Sequence, residues 1–120
     1  NMKEFDIQDA IRLALSPYAI ILRVNSGQFW SGKRVWDERR RQYILTDLRP
    51  VAGAPAGTSD LIGCRRSDGK FIALEVKTPT GRVRTEQKRF LTAIREAHAL
   101  CGVARSPEDA IRIIEGDTNG

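Results

Sequence analysis

Two apolar runs flank Asp68-Gly69 in this chain, and few sequence features restrict a fold as tightly. Asp-Gly tolerates the positive φ angles of a tight turn, so the segment beginning Leu61-Ile62-Gly63 and the run Phe71 to Val76 are predicted as two strands of a hairpin. Side chains alternate along a strand, which puts Glu75 and Lys77 on one face and Val76 on the other. Asp60 stands at the open end of the first strand, where pairing can bring it beside Glu75. A glutamate inside an apolar, buried-looking strand needs a partner or a metal. Two carboxylates next to one ammonium form a hard-oxygen cation site with a group able to move a proton or steer a phosphate. The competing reading is an exposed same-face ion pair of small energetic value, and spacing alone leaves both open.

The remaining elements follow from local pattern. Ile7, Ala10, Ile11, Ala14 and Leu15 recur at helical spacing between Lys3 and Leu15, and Ser16-Pro17 ends that helix. Tyr18 to Val24 is an unbroken apolar and β-branched run, predicted as a buried strand. Asn25-Ser26-Gly27 is a turn. Between Gln28 and Ala56 the signals conflict: Trp30 to Trp36 and Gln42 to Leu45 read as strands joined through the charged Asp37 to Arg41 stretch. Gly53-Ala54-Pro55-Ala56-Gly57 is a loop that delivers the chain to Asp60. After the hairpin, Thr78-Pro79-Thr80-Gly81 breaks the strand. Thr85 is expected to cap a helix running to about His98, with Phe90, Leu91, Ile94 and Ala97 on its core face, and Gly102 to mark its stop. Val103 to Arg105 follows as a short strand. Ser106-Pro107-Glu108-Asp109 then opens a last helix, with serine capping, proline at the first helical position and Asp109 reaching back to the cap.

The 120 residues suit one domain, residues 1–120, with a single core. No apolar run approaches the roughly 20 residues that span a bilayer, and no secretory signal is recognisable, so the cytoplasm is the expected compartment. Cys64 and Cys101 are expected to be free and buried. With one His and no Cys-x-x-Cys pair, zinc is not expected.

A net charge of +5 favours a polyanionic partner. The cations are clustered. Lys33, Arg34, Arg39, Arg40 and Arg41 are interleaved with Phe29, Trp30, Trp36 and Tyr43, and Arg82, Arg84, Lys88 and Arg89 follow the second hairpin strand. Such interleaving suits phosphate contact with base stacking. Packing against a second subunit accounts for the two Trp residues equally well.

Gly57-Thr58-Ser59-Asp60-Leu61-Ile62-Gly63, followed by Glu75-Val76-Lys77 and Gln87, resembles the virus-type replication-repair nuclease family, a branch of the PD-(D/E)xK superfamily. Glu4 with Ile7-Gln8 resembles that family's N-terminal glutamate. Arg23-Val24-Asn25-Ser26-Gly27 resembles its strand end and Asn-containing turn. Val103-Ala104-Arg105-Ser106 with Asp109-Ala110 resembles its closing strand and last helix. Ser59 departs from the superfamily's proline, and the stretch from Phe29 to Ala56 is longer and more basic than in the shortest members.

The resemblance implies an α/β fold: a mixed central sheet flanked by helices, with a restriction-endonuclease-like core in the order α-β-β-β-α-β-α. It implies Mg²⁺ or Mn²⁺ on Asp60, Glu75 and the Val76 carbonyl, and no small-molecule cofactor. Lys77 then orients or deprotonates water or holds the scissile phosphate. Glu4 joins the metal or holds a water on it, and Gln87 bonds phosphate or Lys77. Asn25, Lys33, Arg34, Arg39, Arg40, Arg41, Arg82, Arg84 and Lys88 are the expected DNA contacts. Stand-alone members resemble phage Holliday junction resolvases, so the implied partners are branched or four-way-junction DNA and a second copy of the chain. The implied location is the cytoplasm of a bacterial or phage-infected cell. A flap or fork nickase and a non-catalytic nucleic-acid-binding domain are the alternatives, though a degenerate copy should have lost Asp60, Glu75 or Lys77.

Overall fold

The computed structural model describes residues 2–116, so the two ends of the expected 1–120 domain lie outside the described residues. Its elements are α1 (Glu4–Leu15), β1 (Ala19–Arg23), β2 (Gln28–Asp37), β3 (Gln42–Ala52), β4 (Leu61–Arg65), β5 (Phe71–Val76), α2 (Thr85–Glu96), β6 (Leu100–Ala104) and α3 (Pro107–Ile114). The hairpin around Asp68-Gly69 forms as expected, with Leu61 opposite Leu74 and Cys64 opposite Phe71. Gly69 supplies a φ of 74°. The Asp68 carboxylate ties the turn together, accepting from the Lys70 amide and from the Arg65 guanidinium.

β1 adds antiparallel to β4, and β6 adds parallel to β5, giving one mixed sheet in the order β1-β4-β5-β6. Gly63 is required where β1 crosses β4, because a Cβ there would meet the Ile20 carbonyl oxygen at 1.7 Å. Alternation along β5 sorts the core into two layers. Ile72, Leu74 and Val76 face α1 and α3, where Ile7, Ile11, Leu15, Ala110, Ile113 and Ile114 complete the larger cluster. Ala73 faces α2, meeting Leu91, Cys101 and Val103, with Phe90 and Ile94 beside them. Each fully buried Leu or Ile contributes about 1.5–3 kcal/mol by leaving water, so the larger layer dominates stability. Around this frame the order is α-β-β-β-α-β-α, with one hairpin inserted after β1.

Four expectations change. β1 is not a buried strand: it forms the sheet edge, and Ile20 and Leu22 are 49% and 60% exposed because α2 packs over β5 and β6 instead. Gly102 lies inside β6 and stops nothing. The helix ends at Glu96, and just beyond it His98, with a φ of 67°, turns the chain while its amide donates to the Arg95 carbonyl and the Ala99 amide to the Ile94 carbonyl. That pairing of two amides with two orphan helix carbonyls is the Schellman arrangement. Both cysteines are free, but only Cys101 is buried. Ala97 is exposed rather than on the core face of α2.

The segment with conflicting signals forms a long antiparallel arm. β2 and β3 pair from Gln28 opposite Ala52 to Asp37 opposite Gln42, with a bulge between Ser31 and Lys33. They pack chiefly on each other, and the molecule is 53 Å long by 30 and 27 Å across. Alternation places Trp30, Arg34 and Trp36 on one face of β2, with Tyr43 and Leu45 across from them on β3. Gly32 lies beneath Leu48, whose side chain would meet a Cβ there at 2.9 Å. One face of the arm is therefore a stripe of large apolar side chains, about half exposed.

Candidate active site

Asp60 is placed by the loop before β4 and fixed from two sides. Gly57, with a φ of 94°, lets that loop lie against the first turn of α2, where a Cβ would meet the Glu86 carbonyl oxygen at 2.5 Å. Thr58 donates its hydroxyl to the Pro55 carbonyl at 2.7 Å. The Asp60 carbonyl accepts from the Val24 amide, and its Oδ2 accepts from the Val76 amide at 2.8 Å. An amide and carbonyl of one strand residue point to the same edge. The Val76 carbonyl therefore also faces Asp60, while the Lys77 amide faces β6 and donates to the Ala104 carbonyl.

Glu75 lies on the other face of β5 and is 1% exposed. Its Oε2 accepts from the Gln87 side-chain amide at 3.1 Å and lies 4.0 Å from Lys77 Nζ. Its Oε1 has no hydrogen-bond partner. Gln87 is in the first turn of α2 as expected, but it bonds Glu75 rather than Lys77. The other end of the same amide, Oε1, accepts from the Arg84 backbone N–H at 2.8 Å. Arg84, not Thr85, is thus the residue that precedes the helix, and Thr85 is its first residue. One side chain both caps α2 and orients the buried carboxylate.

The electrostatics follow from this crowding. Burial, then the adjoining Asp60, push the Glu75 carboxyl up to about 9, with Lys77 pulling in the opposite direction. Glu4 reaches the same end of the sheet from α1. Its carboxyl is raised by burial and by Asp60, and lowered by Lys77 and Arg84. Among the described residues no group of three or more His, Cys, Asp or Glu is close enough to hold a metal, so Glu4 stands outside the Asp60–Glu75 pair. Two carboxylates and one carbonyl make an all-oxygen set suited to Mg²⁺ or Mn²⁺. The unpartnered, fully buried Glu75 Oε1 fits that role, since a buried carboxylate oxygen is costly to leave unmatched.

The expected DNA contacts divide. Arg84 is close enough to act on Glu4, and Arg82 and Lys88 are exposed on either side of it. Asn25 sits at the foot of the arm, its carbonyl accepting from the Ala54 amide, next to the Val24 that holds Asp60. Lys33 and Arg34 lie along the arm, and Arg34 covers the Tyr43 ring at 3.7 Å. Arg39, Arg40 and Arg41 form the arm's distal turn, where Arg40 pairs with Asp37 at 2.6 Å and Arg41 with Glu38 at 3.5 Å. The structure does not gather these three with the carboxylates. Sequence reading overlooked Gln8 and Ser59 as buried polar groups, 8% and 1% exposed, each with an unpartnered oxygen. Gln8 had one readable signal, its position a helical turn beyond Glu4.

A helix-flanked mixed sheet carrying Asp60 and Glu75-Val76-Lys77 at one end is the build of a PD-(D/E)xK nuclease with a restriction-endonuclease-like fold. The family model of the VRR-NUC domain matches residues 2–108, and the chain belongs to that family. A search of curated proteins finds no match. The chain is thus a nuclease domain, with DNA as its class of substrate. Among the described residues, no helix is long and apolar enough to cross a membrane.

Proposed function

We propose that the chain is a single Mg²⁺- or Mn²⁺-dependent endonuclease domain that hydrolyses phosphodiester bonds in branched DNA, and that two copies act together as a Holliday junction resolvase. The observation that carries the catalytic part is Glu75: a buried carboxyl beside Asp60, with one oxygen held by Gln87 and the other unpartnered. Asp60, Glu75 and the Val76 carbonyl would hold the ion, which supplies positive charge to phosphate oxygens and acidifies water. Lys77, 6% exposed and set against Glu75, donates to the attacking water or the scissile phosphate. Glu4, outside the carboxylate pair, orients a water at the same end of the sheet. Gln87 keeps Glu75 in place. Arg82, Arg84, Lys88 and Asn25 take the DNA backbone near the cut, while Lys33, Arg34 and the Arg39 to Arg41 turn meet it farther along.

The dimer rests on the arm. Its apolar stripe of Trp30, Leu48, Leu45, Tyr43 and Trp36 is large for a face turned to water, and Tyr43 is already covered by Arg34 rather than open to a base. Opposed strands of a junction need two active sites related by a twofold axis, which a second copy provides. The test is cleavage of labelled linear duplex, flap, fork and four-way junction, with and without Mg²⁺ or Mn²⁺, beside light scattering of the protein. Paired nicks in the junction by a protein of dimeric mass are expected. A monomer that nicks flaps and junctions alike would replace the resolvase with a nickase, and no cleavage in either metal would leave a binding domain.

A further inference from the structure

Lys77 follows directly on β5 and opens an irregular connection to α2. Thr78 to Gly81 forms a turn closed by the Gly81 amide on the Thr78 carbonyl at 3.0 Å. Neither helix nor sheet holds the carbonyls of this turn. A side chain from the far end of β6 does. Arg105 Nη1 donates to the Thr78 carbonyl at 2.6 Å and the Gly81 carbonyl at 2.8 Å, and lies 3.4 Å from the Pro79 carbonyl. Charge-assisted bonds of this kind are the strong ones. No ion pair to the Arg105 guanidinium is found among the described residues, so its charge is directed at the turn.

The base from which Arg105 reaches is rigid. Its own amide donates to Asp109 Oδ2 at 2.9 Å, and the Asp109 amide donates to Ser106 Oγ at 3.1 Å, fixing the corner between β6 and α3. The turn it grips is coupled to the carboxylates at both ends. Before it stands Lys77, whose amide is held by the Ala104 carbonyl. After it stands Arg84, whose amide is bonded by Gln87, the residue that also holds Glu75.

We propose that Arg105 is a positioning residue of the nuclease site: by gathering the Thr78 and Gly81 carbonyls it fixes the β5–α2 connection, and with it the placement of Lys77, Arg84 and the Gln87–Glu75 contact. The inference rests on the nuclease reading for its effect on rate, but the clamp itself is testable without any cleavage. Arg105→Ala is expected to lower kcat by about 10- to 100-fold, the cost of small misplacements in a reacting site. DNA affinity measured in EDTA should stay within about twofold, because the guanidinium is turned to the protein. Arg105→Lys, which keeps a cation able to donate to the same carbonyls, should recover part of the rate.

The independent readout is native-state digestion with trypsin. Loss of the clamp should speed cutting after Arg82 and Arg84 by about tenfold, while the cooperative melting of the rest persists. If Arg105→Ala does not fold, Arg105→Gln carries the same comparisons. Wild-type kcat together with wild-type resistance at Arg82 and Arg84 would overturn the proposal. So would weakened DNA binding at unchanged kcat, which would make Arg105 a phosphate contact. A wild-type chain that cleaves nothing, while its Arg105 variants open at Arg82 and Arg84, would sink the nuclease reading and leave the clamp standing.

Discussion

The end of the sheet that carries Asp60, Glu75 and Lys77 and the arm formed by β2 and β3 hold their charges in opposite ways. Glu75 and Lys77 are almost completely removed from water, and Asp60 and Glu75 are gripped by a backbone amide and a glutamine. The arm's arginines are exposed, and two of them pair with near neighbours in sequence, Arg40 with Asp37 and Arg41 with Glu38. Buried charges are expensive unless matched, so the first region makes sense as a place where a counter-charge binds. Exposed pairs are worth about 0–1 kcal/mol and give way readily to a phosphate. On the function proposed above, the contrast separates a region suited to chemistry from one suited to contact.

The largest effects should come from the buried end. Asp60→Ala is expected to reduce cleavage by about a thousandfold or more, several kcal/mol of lost charge stabilisation, with a normal circular dichroism spectrum. Lys77→Ala should cut kcat by about 100- to 10,000-fold and leave DNA affinity nearly unchanged. A Lys77→Ala protein with normal turnover and weakened binding would move Lys77 into the same class as the arm's cations and erase the distinction.

Acidity gives a second, smaller separation. Burial beside Asp60 lifts Glu75 to about 9, so the folded metal-free chain keeps a proton that the unfolded chain gives up near 4.5. The stability this contributes is complete below the unfolded value and is lost as pH rises through the folded one. Urea unfolding in EDTA should therefore show stability falling between those limits, by at most about 1.4 kcal/mol per pH unit from this one proton. Glu75→Gln should flatten the decline. An unchanged slope in that variant would mean the proton resides elsewhere.

The arm should yield the smallest change. Replacing Arg39, Arg40 and Arg41 by Gln should reduce the slope of log affinity against log salt, by about 0.9 for each phosphate that is no longer neutralised. Because Arg40 and Arg41 already have acidic partners, the expected change corresponds to about one to two phosphates rather than three. The rate at saturating DNA should not move. A large fall in that rate would place the arm's turn at the cut.

What could be read from the sequence was what short-range physics decides. The Asp68-Gly69 hairpin, the amphipathic α1 and the Ser106-Pro107 start of α3 each declare themselves within a few residues, and each is present. The closeness of Glu75 to Asp60 followed from the same hairpin register. Exposure of β1 was not legible, because it depends on which strand ends at the sheet edge and how far α2 reaches. The arm stayed ambiguous because its strands pair with each other and not with the core, so no buried stripe marks them. The grip of Arg105 on the turn after Lys77 joins residues 27 positions apart and leaves no local pattern at either end. The end of α2 was read to within two residues, at about His98, but not the residue that turns the chain there: glycine is the common residue in that backbone conformation, and Gly102 drew the assignment of the stop away.

The nuclease site stands or falls on whether the Asp60–Glu75 carboxylate pair holds a divalent cation. Calorimetric titration of Mn²⁺ into the wild-type chain and into Glu75→Gln, with no DNA present, measures that without reference to any substrate. Saturable binding to the wild type, weakened by about 10- to 100-fold or abolished in the variant, is the result predicted. Equal Mn²⁺ affinity in the two proteins would contradict the site.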